Sequence, residues 1–304
     1  MACWQSEKHP NHFRRPEVDV SSASINPTVR RRRLGSELRK LREARGLTAE
    51  EVAAKLLVSQ SKISRLENGR RSISQRDVRD LCEVYGVNDE ALVEGLMAMA
   101  RESRQRGWWH AFGDLPYSVY IGLEDEASSI RTYESLLVPG LLQTEAYARA
   151  SVAGIQPDRD ADAVERRVEV RMRRQERVTG ESPVEFWAVL DEAALHRQVG
   201  NREVMREQLE HLAQLSELPH VNLQVLAYEA GAHPGMTGAF SILEFPESAD
   251  TAVVYLEGVT SDLYLEKESD VRRYTGLYEH LRATALSTAD TRALIGRLAK
   301  GQSE

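Results

Sequence analysis

Cysteine, tryptophan, phenylalanine and long apolar runs are all scarce in this chain of 304 residues, which has two Cys, four Trp and five Phe. Cys3 stands in a polar amino-terminal tail and Cys82 in an apolar helical pattern, so neither a disulfide framework nor a cysteine-rich metal site can be assembled. Cys82 reads as a small core residue. No apolar run approaches the roughly 18 residues needed to cross a bilayer, and MACWQSEKHPNHFRRPEVDV lacks the apolar centre of a secretion signal, so the chain is expected to stay in the cytoplasm. His9 and His12 have no further ligands at useful spacing, and the remaining histidines are scattered. There is no phosphate-cradling glycine loop and no GxSxG elbow. These gaps lead us to expect no metal, no cofactor and no enzyme.

What is abundant is charge, unevenly placed. The net charge is −7, yet Arg30 to Arg79 holds 15 Lys and Arg against 6 Asp and Glu, a segment of +9 joined to a remainder of −16. A basic module on an acidic body is the pattern expected when one domain meets a polyanion and the rest avoids it. The length allows two domains with separate cores. Residues 1–28, with Ser21 to Ser24 and Asn26-Pro27, read as a disordered leader; 29–106 as the basic domain; and 107–304 as the acidic body.

The basic segment has a definite periodicity. Leu34, Leu38 and Leu41 recur at helical spacing up to Arg45-Gly46, where glycine supplies a left-handed cap. Thr48 and Glu51 form a capping box for a second helix with Val52, Ala53 and Leu56 inward. Ser59 caps a third, in which Ile63 and Leu66 point inward and Gln60, Ser61, Lys62, Ser64 and Arg65 remain outside. In the major groove guanine offers acceptors that suit Arg, and adenine a donor and acceptor that suit Gln. Gln60, Ser61 and Arg65 are therefore the expected base readers of double-stranded DNA. Lys62, Ser64, Asn68, Arg70, Arg71 and Thr48 are expected at phosphates. Arg31 and Arg32 join them, because a run of arginines at the start of a helix, where the dipole disfavours cations, makes more sense beside phosphate.

The run LTAEEVAAKLLVSQSKISRLENGRR resembles the helix-turn-helix of the Xre and lambda-repressor-like regulators. That resemblance implies a five-helix all-α domain, a transcription regulator, and a pair between Arg42 and Glu67 beneath the recognition helix; a homodimer joined through the C-terminal body is expected from how such motifs reach useful specificity on two half-sites. It also exposes a departure: the turn position held by Leu57 is most often Gly in the family, since a left-handed backbone costs another residue roughly 1 to 2 kcal/mol. Either Leu57 bears the strain or the turn is rearranged. Two further helices, Ser74 to Tyr85 (inward Val78, Leu81, Cys82) and Asn88 to about Arg106 (inward Leu92, Leu96, Met99), are expected to close the domain. Trp108 and Trp109 are expected to anchor the linker that follows.

Beyond Gly122 the expected elements are a helix from Leu123 to Tyr133, a break at Val138 to Thr144, a short helix through Tyr147 and an arginine-rich helix from Asp162 to Val178. A strand at Val184 to Leu190, a helix at Glu203 to Leu218 and a strand at Val221 to Tyr228 suggest a parallel strand, helix, strand unit. Strands at Ala239 to Phe245, Ala252 to Glu257 and Asp262 to Glu266 precede two final helices. The fold class is thus an all-α helix-turn-helix domain followed by a larger α+β domain with a mixed sheet. The runs LEDEASSIRTYESLLVPGLLQTEAYARA, RRQER, VLDEAALHRQVG, REQLEHL, GAHPGMTGAF and VVYLEG resemble the domain of unknown function that follows the helix-turn-helix in actinomycete regulators described as antitoxin-like. This implies a regulator, frequently paired with a small partner protein that antitoxin-like members counteract; the alternative expectation is an interaction protein that sequesters a small partner encoded nearby and autoregulates its operon. If the body binds a ligand or partner, the Gly231 to Gly238 loop with His233 and Met236, expected as a long hairpin connection, and the Val138 to Thr144 turn are the places to look.

Overall fold

The structure, a computed structural model, describes residues 27–69, 71–104, 107–113, 115, 117–155, 160–246 and 252–301. The leader up to residue 26, with Cys3, His9 and His12, lies outside the described residues. Pro27 opens the first helix, a position where its missing N–H is not needed.

Five helices form the first region: α1 (Pro27–Ala44), α2 (Ala49–Lys55), α3 (Gln60–Glu67), α4 (Gln75–Val84) and α5 (Glu90–Glu102). Their ends follow side-chain chemistry. The Thr48 and Glu51 capping box starts α2, the Ser59 hydroxyl accepts the Lys62 amide at the start of α3, and Ser74 with Asp77 boxes α4. The start of α5 is capped by Asp89 rather than Asn88, and the helix stops at Glu102, short of the expected Arg106. Leu34, Leu38, Val52, Ile63, Leu66, Val78, Leu81, Cys82 and Leu96 fill one core. Leu92, expected inward, is 40% exposed; the buried stripe of α5 runs through Leu96 and Ala100 instead.

After a 3-10 turn at Trp108–Phe112 come α6 (Ser118–Glu126), β1 (Ser129–Glu134), α7 (Glu145–Ile155), α8 (Ala161–Arg174), α9 (Glu176–Thr179), β2 (Glu185–Asp191), α10 (Glu192–His196), α11 (Arg202–Leu215), β3 (Val221–Leu226), β4 (Phe240–Glu244), β5 (Val253–Leu256), β6 (Leu263–Leu265), α12 (Glu268–Thr284) and α13 (Thr288–Gly301). One sheet of order β3-β2-β1-β4-β5-β6 contains them, parallel among β1, β2 and β3 and antiparallel from β1 through β6. The parallel β2, α11, β3 unit matches the pattern of its sequence. Alternation along the strands divides the core. Ile130, Phe186 and Leu223 face α7, α11 and α13, while Tyr133, Val189 and Ile242 face Tyr278 and Leu281 of α12.

Two expectations are corrected. The segment Leu123 to Tyr133 is not one helix: α6 ends at Glu126 and β1 begins at Ser129. Leu123, Ala127 and Ile130 fit a helical stripe, but Ile130, Thr132 and Tyr133 are buried in the centre of the sheet, where pairing on both sides overrides local periodicity. The Gly231 to Gly238 loop is not a hairpin, because β2 and β1 stand between β3 and β4; the β3 to β4 connection to which it belongs passes through two 3-10 turns, Tyr228–Ala230 and Pro234–Thr237.

The two regions touch. Helix α1 packs against α6, and Arg32 on α1 pairs with Glu266 just after β6 at 2.6 Å. Trp109 is buried among Leu115, Ile121 and Val170, and Trp108 donates its indole N–H to Asp125 at 3.3 Å.

Candidate nucleic-acid interface

The pose of α3 is set from below. Arg42 Nε and Nη2 donate to the two carboxylate oxygens of Glu67 at 2.7 and 2.9 Å, a buried bidentate pair. Arg42 Nη1 also donates to the Leu47 carbonyl at 2.7 Å, and the Tyr85 hydroxyl donates to Glu67 Oε1 at 3.4 Å. One carboxylate therefore ties α3 to α1 and to the end of α4, and Arg42 carries the connection on to the turn before α2. The hydrogen bond to Glu67, the largest effect, holds the Arg42 guanidinium above its ordinary pKa. Gly35 lets α1 come close: a Cβ there would stand 2.5 Å from the Glu67 carbonyl oxygen.

The turn between α2 and α3 is a Schellman closure. Leu57 N–H donates to the Ala54 carbonyl at 3.3 Å and Val58 N–H to the Ala53 carbonyl at 3.0 Å. Leu57 holds φ 53, the only positive value at a non-glycine residue among those described, and its side chain is 93% exposed. Of the two possibilities, strain or rearrangement, the backbone shows strain.

On this support the outer face of α3 presents Gln60, Ser61, Ser64 and Arg65, all exposed, with Asn68, Arg71 and Thr48 exposed nearby in sequence. Arg65 is folded onto its own helix, Nε donating to the Ser61 carbonyl at 3.1 Å, and Ser61 shares a 3.1 Å hydroxyl contact with Ser59. The Asn68 amide donates to the Ser64 hydroxyl at 3.3 Å. These are exposed bonds that a groove could exchange for its own.

Lys62, Thr48, Arg31 and Arg32 have other engagements. Lys62 Nζ, partly buried, pairs with Asp77 at 3.0 Å and bridges α3 to α4. Burial acts upward on Asp77, but the Ser74 hydroxyl and amide and the Lys62 ammonium hold its carboxyl below the usual range. The Thr48 hydroxyl is spent in its capping box. Arg32 lies against the loop after α3, since a Cβ on Gly69 would come 2.8 Å from its Cα, and its guanidinium pairs with Glu266. Arg31 is partly buried, its Nε closed to solvent with no partner among the described residues, and desolvation lowers its pKa. Arg70 lies outside the described residues.

The sequence pattern alone assigns Gly35, Asp77 and Tyr85 no part in supporting α3. Asp77 had a signal in its capping spacing from Ser74; Gly35 and Tyr85 act through packing between helices distant in the chain.

In the body, His233 Nε2 lies 3.3 Å from Asp191 Oδ2, which also accepts the Tyr133 hydroxyl at 3.3 Å. Met236 is 71% exposed on the same loop.

Comparison with known proteins agrees with this architecture. Residues 33–96 match the family described as "Helix-turn-helix domain", and 117–297, more than half of the chain, match "Domain of unknown function (DUF5753)". The "Uncharacterized HTH-type transcriptional regulator y4dJ" of Sinorhizobium fredii (strain NBRC 101917 / NGR234) is 40% identical over 63 residues, 21% of this chain and 82% of that relative. No solved structure gives a significant match. Among the described residues no helix is long and apolar enough to cross a membrane. The chain belongs to the family of the domain of unknown function DUF5753, with a helix-turn-helix domain of the kind found in DNA-binding transcription regulators ahead of it.

Proposed function

We propose that the protein is a sequence-specific transcription regulator that binds DNA as a homodimer, reads bases through Gln60, Ser61 and Arg65, and uses its α+β body for dimerisation and effector sensing. The observation that carries this reading is the exposed polar face of α3 held at a fixed angle by the buried Arg42 and Glu67 pair. Thr48, Lys62, Ser64, Asn68, Arg70, Arg71, Arg31 and Arg32 are proposed at phosphates. For Lys62 and Arg32 this requires exchange of Asp77 and Glu266 for a phosphate oxygen. A single eight-residue reading helix touches few base pairs, so two half-sites about one helical turn, roughly 34 Å, apart are needed for useful specificity.

Sedimentation equilibrium of the intact chain with and without a selected duplex tests this: two chains per palindromic site support it, and one chain bound at full affinity to a single half-site refutes the dimer. A second reading, sequestration of a small partner protein, is favoured by the exposed Tyr228 and Met236 on the β3 to β4 loop. It requires that serine at both positions abolish partner binding while leaving DNA binding intact.

A further inference from the structure

The strongest unassigned site is a cavity of about 170 Å³ in the body, on the sheet face opposite the His233 loop. Strand alternation on β1 explains the division: Tyr133 faces the loop, while its neighbours Thr132 and Glu134 line the cavity. The other walls include Tyr120 and Glu124 of α6, the Val138 to Gln143 turn, Arg167, Arg171 and Arg174 of α8, of which Arg167 lies over the Tyr117 ring, and Tyr255 and Glu257 from β5 and its end.

The charges are arranged around a gap. Arg174 is neutralised by a bidentate pair with Glu124 at 2.6 and 2.7 Å. Arg171 has no carboxylate partner among the described residues. Its Nη1 is held by Gln143 at 2.9 Å and Ser151 at 3.2 Å, and its Nε is closed to solvent with nothing to bond. That nitrogen lies beside the cavity wall, 3.7 Å from where a Cβ on Gly140 would stand. Across the space Glu134 and Glu257 act on each other as like charges, and both feel Arg171 without bonding to it. Desolvation first, then Glu257, pushes the Glu134 carboxyl up to about 8. A cation with no bonded carboxylate thus faces an acid that burial and a like charge hold neutral, which is costly without a ligand.

We infer that this cavity binds a free α-amino acid, its carboxylate on Arg171 and its ammonium group between Glu134 and Glu257. An apolar cavity of about 150 Å³ accommodates benzene, so this volume suits an amino acid and is too small for a nucleotide. The occupant would touch Tyr120 on α6, which packs against α1, and Tyr255, whose ring lies tilted against Tyr264 just before the Glu266 that holds Arg32. The inference deepens the sensing role proposed above and rests on it only for consequence. Binding is measured without DNA, so the site and the regulator reading can fail separately.

The test is a melting-temperature screen of the full chain against the twenty standard L-amino acids. For each binder, calorimetry follows with that amino acid, its amine and its carboxylate. At least one amino acid is expected to raise the melting temperature, with both half-molecules at least about tenfold weaker. At pH 7 in buffers of different ionisation heat, binding should release a proton that Glu134→Gln no longer supplies. Glu134→Gln mimics the neutral carboxyl and so keeps the fold where Arg171→Gln fails to. No shift with any of the twenty, half-molecules that bind equally well, or undiminished binding by Glu134→Gln would each overturn the assignment.

Discussion

Replacing Leu57 with glycine should make the protein more stable although it removes a large side chain. Leu57 sits at φ 53 with its side chain 93% exposed, so the substitution sacrifices almost no burial. It releases a left-handed strain of roughly 1 to 2 kcal/mol. Against this, glycine has more backbone freedom to lose on folding, about 0.5 to 1 kcal/mol relative to alanine. The Schellman bonds from Leu57 and Val58 to Ala54 and Ala53 involve backbone groups only and survive. The two ranges leave a net gain centred on about 0.75 kcal/mol, and Leu57→Asn should fall between leucine and glycine. With a slope of about 1 to 3 kcal/mol per molar urea, that central gain should raise the midpoint of the helix-turn-helix transition by roughly 0.25 to 0.75 M at unchanged slope. Amide exchange in α2 and α3 should slow accordingly, which isolates this domain from the body. A Leu57→Gly protein that is less stable than the parent, or equal to it within error, would refute the argument and mean that the turn relaxes in solution.

Further outcomes follow from the same contacts. Glu67→Ala leaves Arg42 buried without its partner and should cost about 3 to 5 kcal/mol by urea denaturation, whereas replacing both residues by packed apolar ones should cost far less. Gly35→Ala drives a methyl onto the Glu67 and Leu66 carbonyl oxygens, both backbone atoms, so α1 must shift from α3; about 1 to 3 kcal/mol of stability should be lost by thermal unfolding. For Glu134 the folded carboxyl titrates near 8 and the unfolded one near 4.5, so the folded state holds the extra proton and stability falls as pH rises between those values. Glu134→Gln removes that fall. Its melting temperature should gain on the parent steadily from pH 5 to pH 8, and parallel curves would contradict the assignment.

The helix-turn-helix was legible because its determinants are local. Thr48 and Glu51, Ser59, and Ser74 with Asp77 fix helix starts within four residues of chain, and Gly46 and Leu57 mark the turns. The strands of the body were found where Val, Leu and Ile cluster in short runs, as at β2 and β3. Strand β1 was misread because Ile130 and Tyr133 continue a helical stripe begun by Leu123 and Ala127, and only pairing with β2 and β4 decides the matter. The outward polar face of α3 could be read from spacing. The partners of Lys62 and Arg32 could not, because Asp77 and Glu266 reach them through helix packing and through contact with the body. For the same reason the cavity was visible in sequence only as the Val138 to Thr144 turn: Arg171 and Glu134 are 37 positions apart and meet across it.

The central claim is that α3 reads base sequence, and in vitro selection from a random duplex library by the intact protein, beside Gln60→Ala and Arg65→Ala, tests it most directly. One enriched site is expected for the parent. Each variant should lose discrimination at a different position of that site, with Arg65→Ala costing about 1 to 3 kcal/mol of specific binding. Contradiction would come from an enriched site that both variants select with unchanged preference, or from no enrichment by the parent at any salt concentration that permits binding.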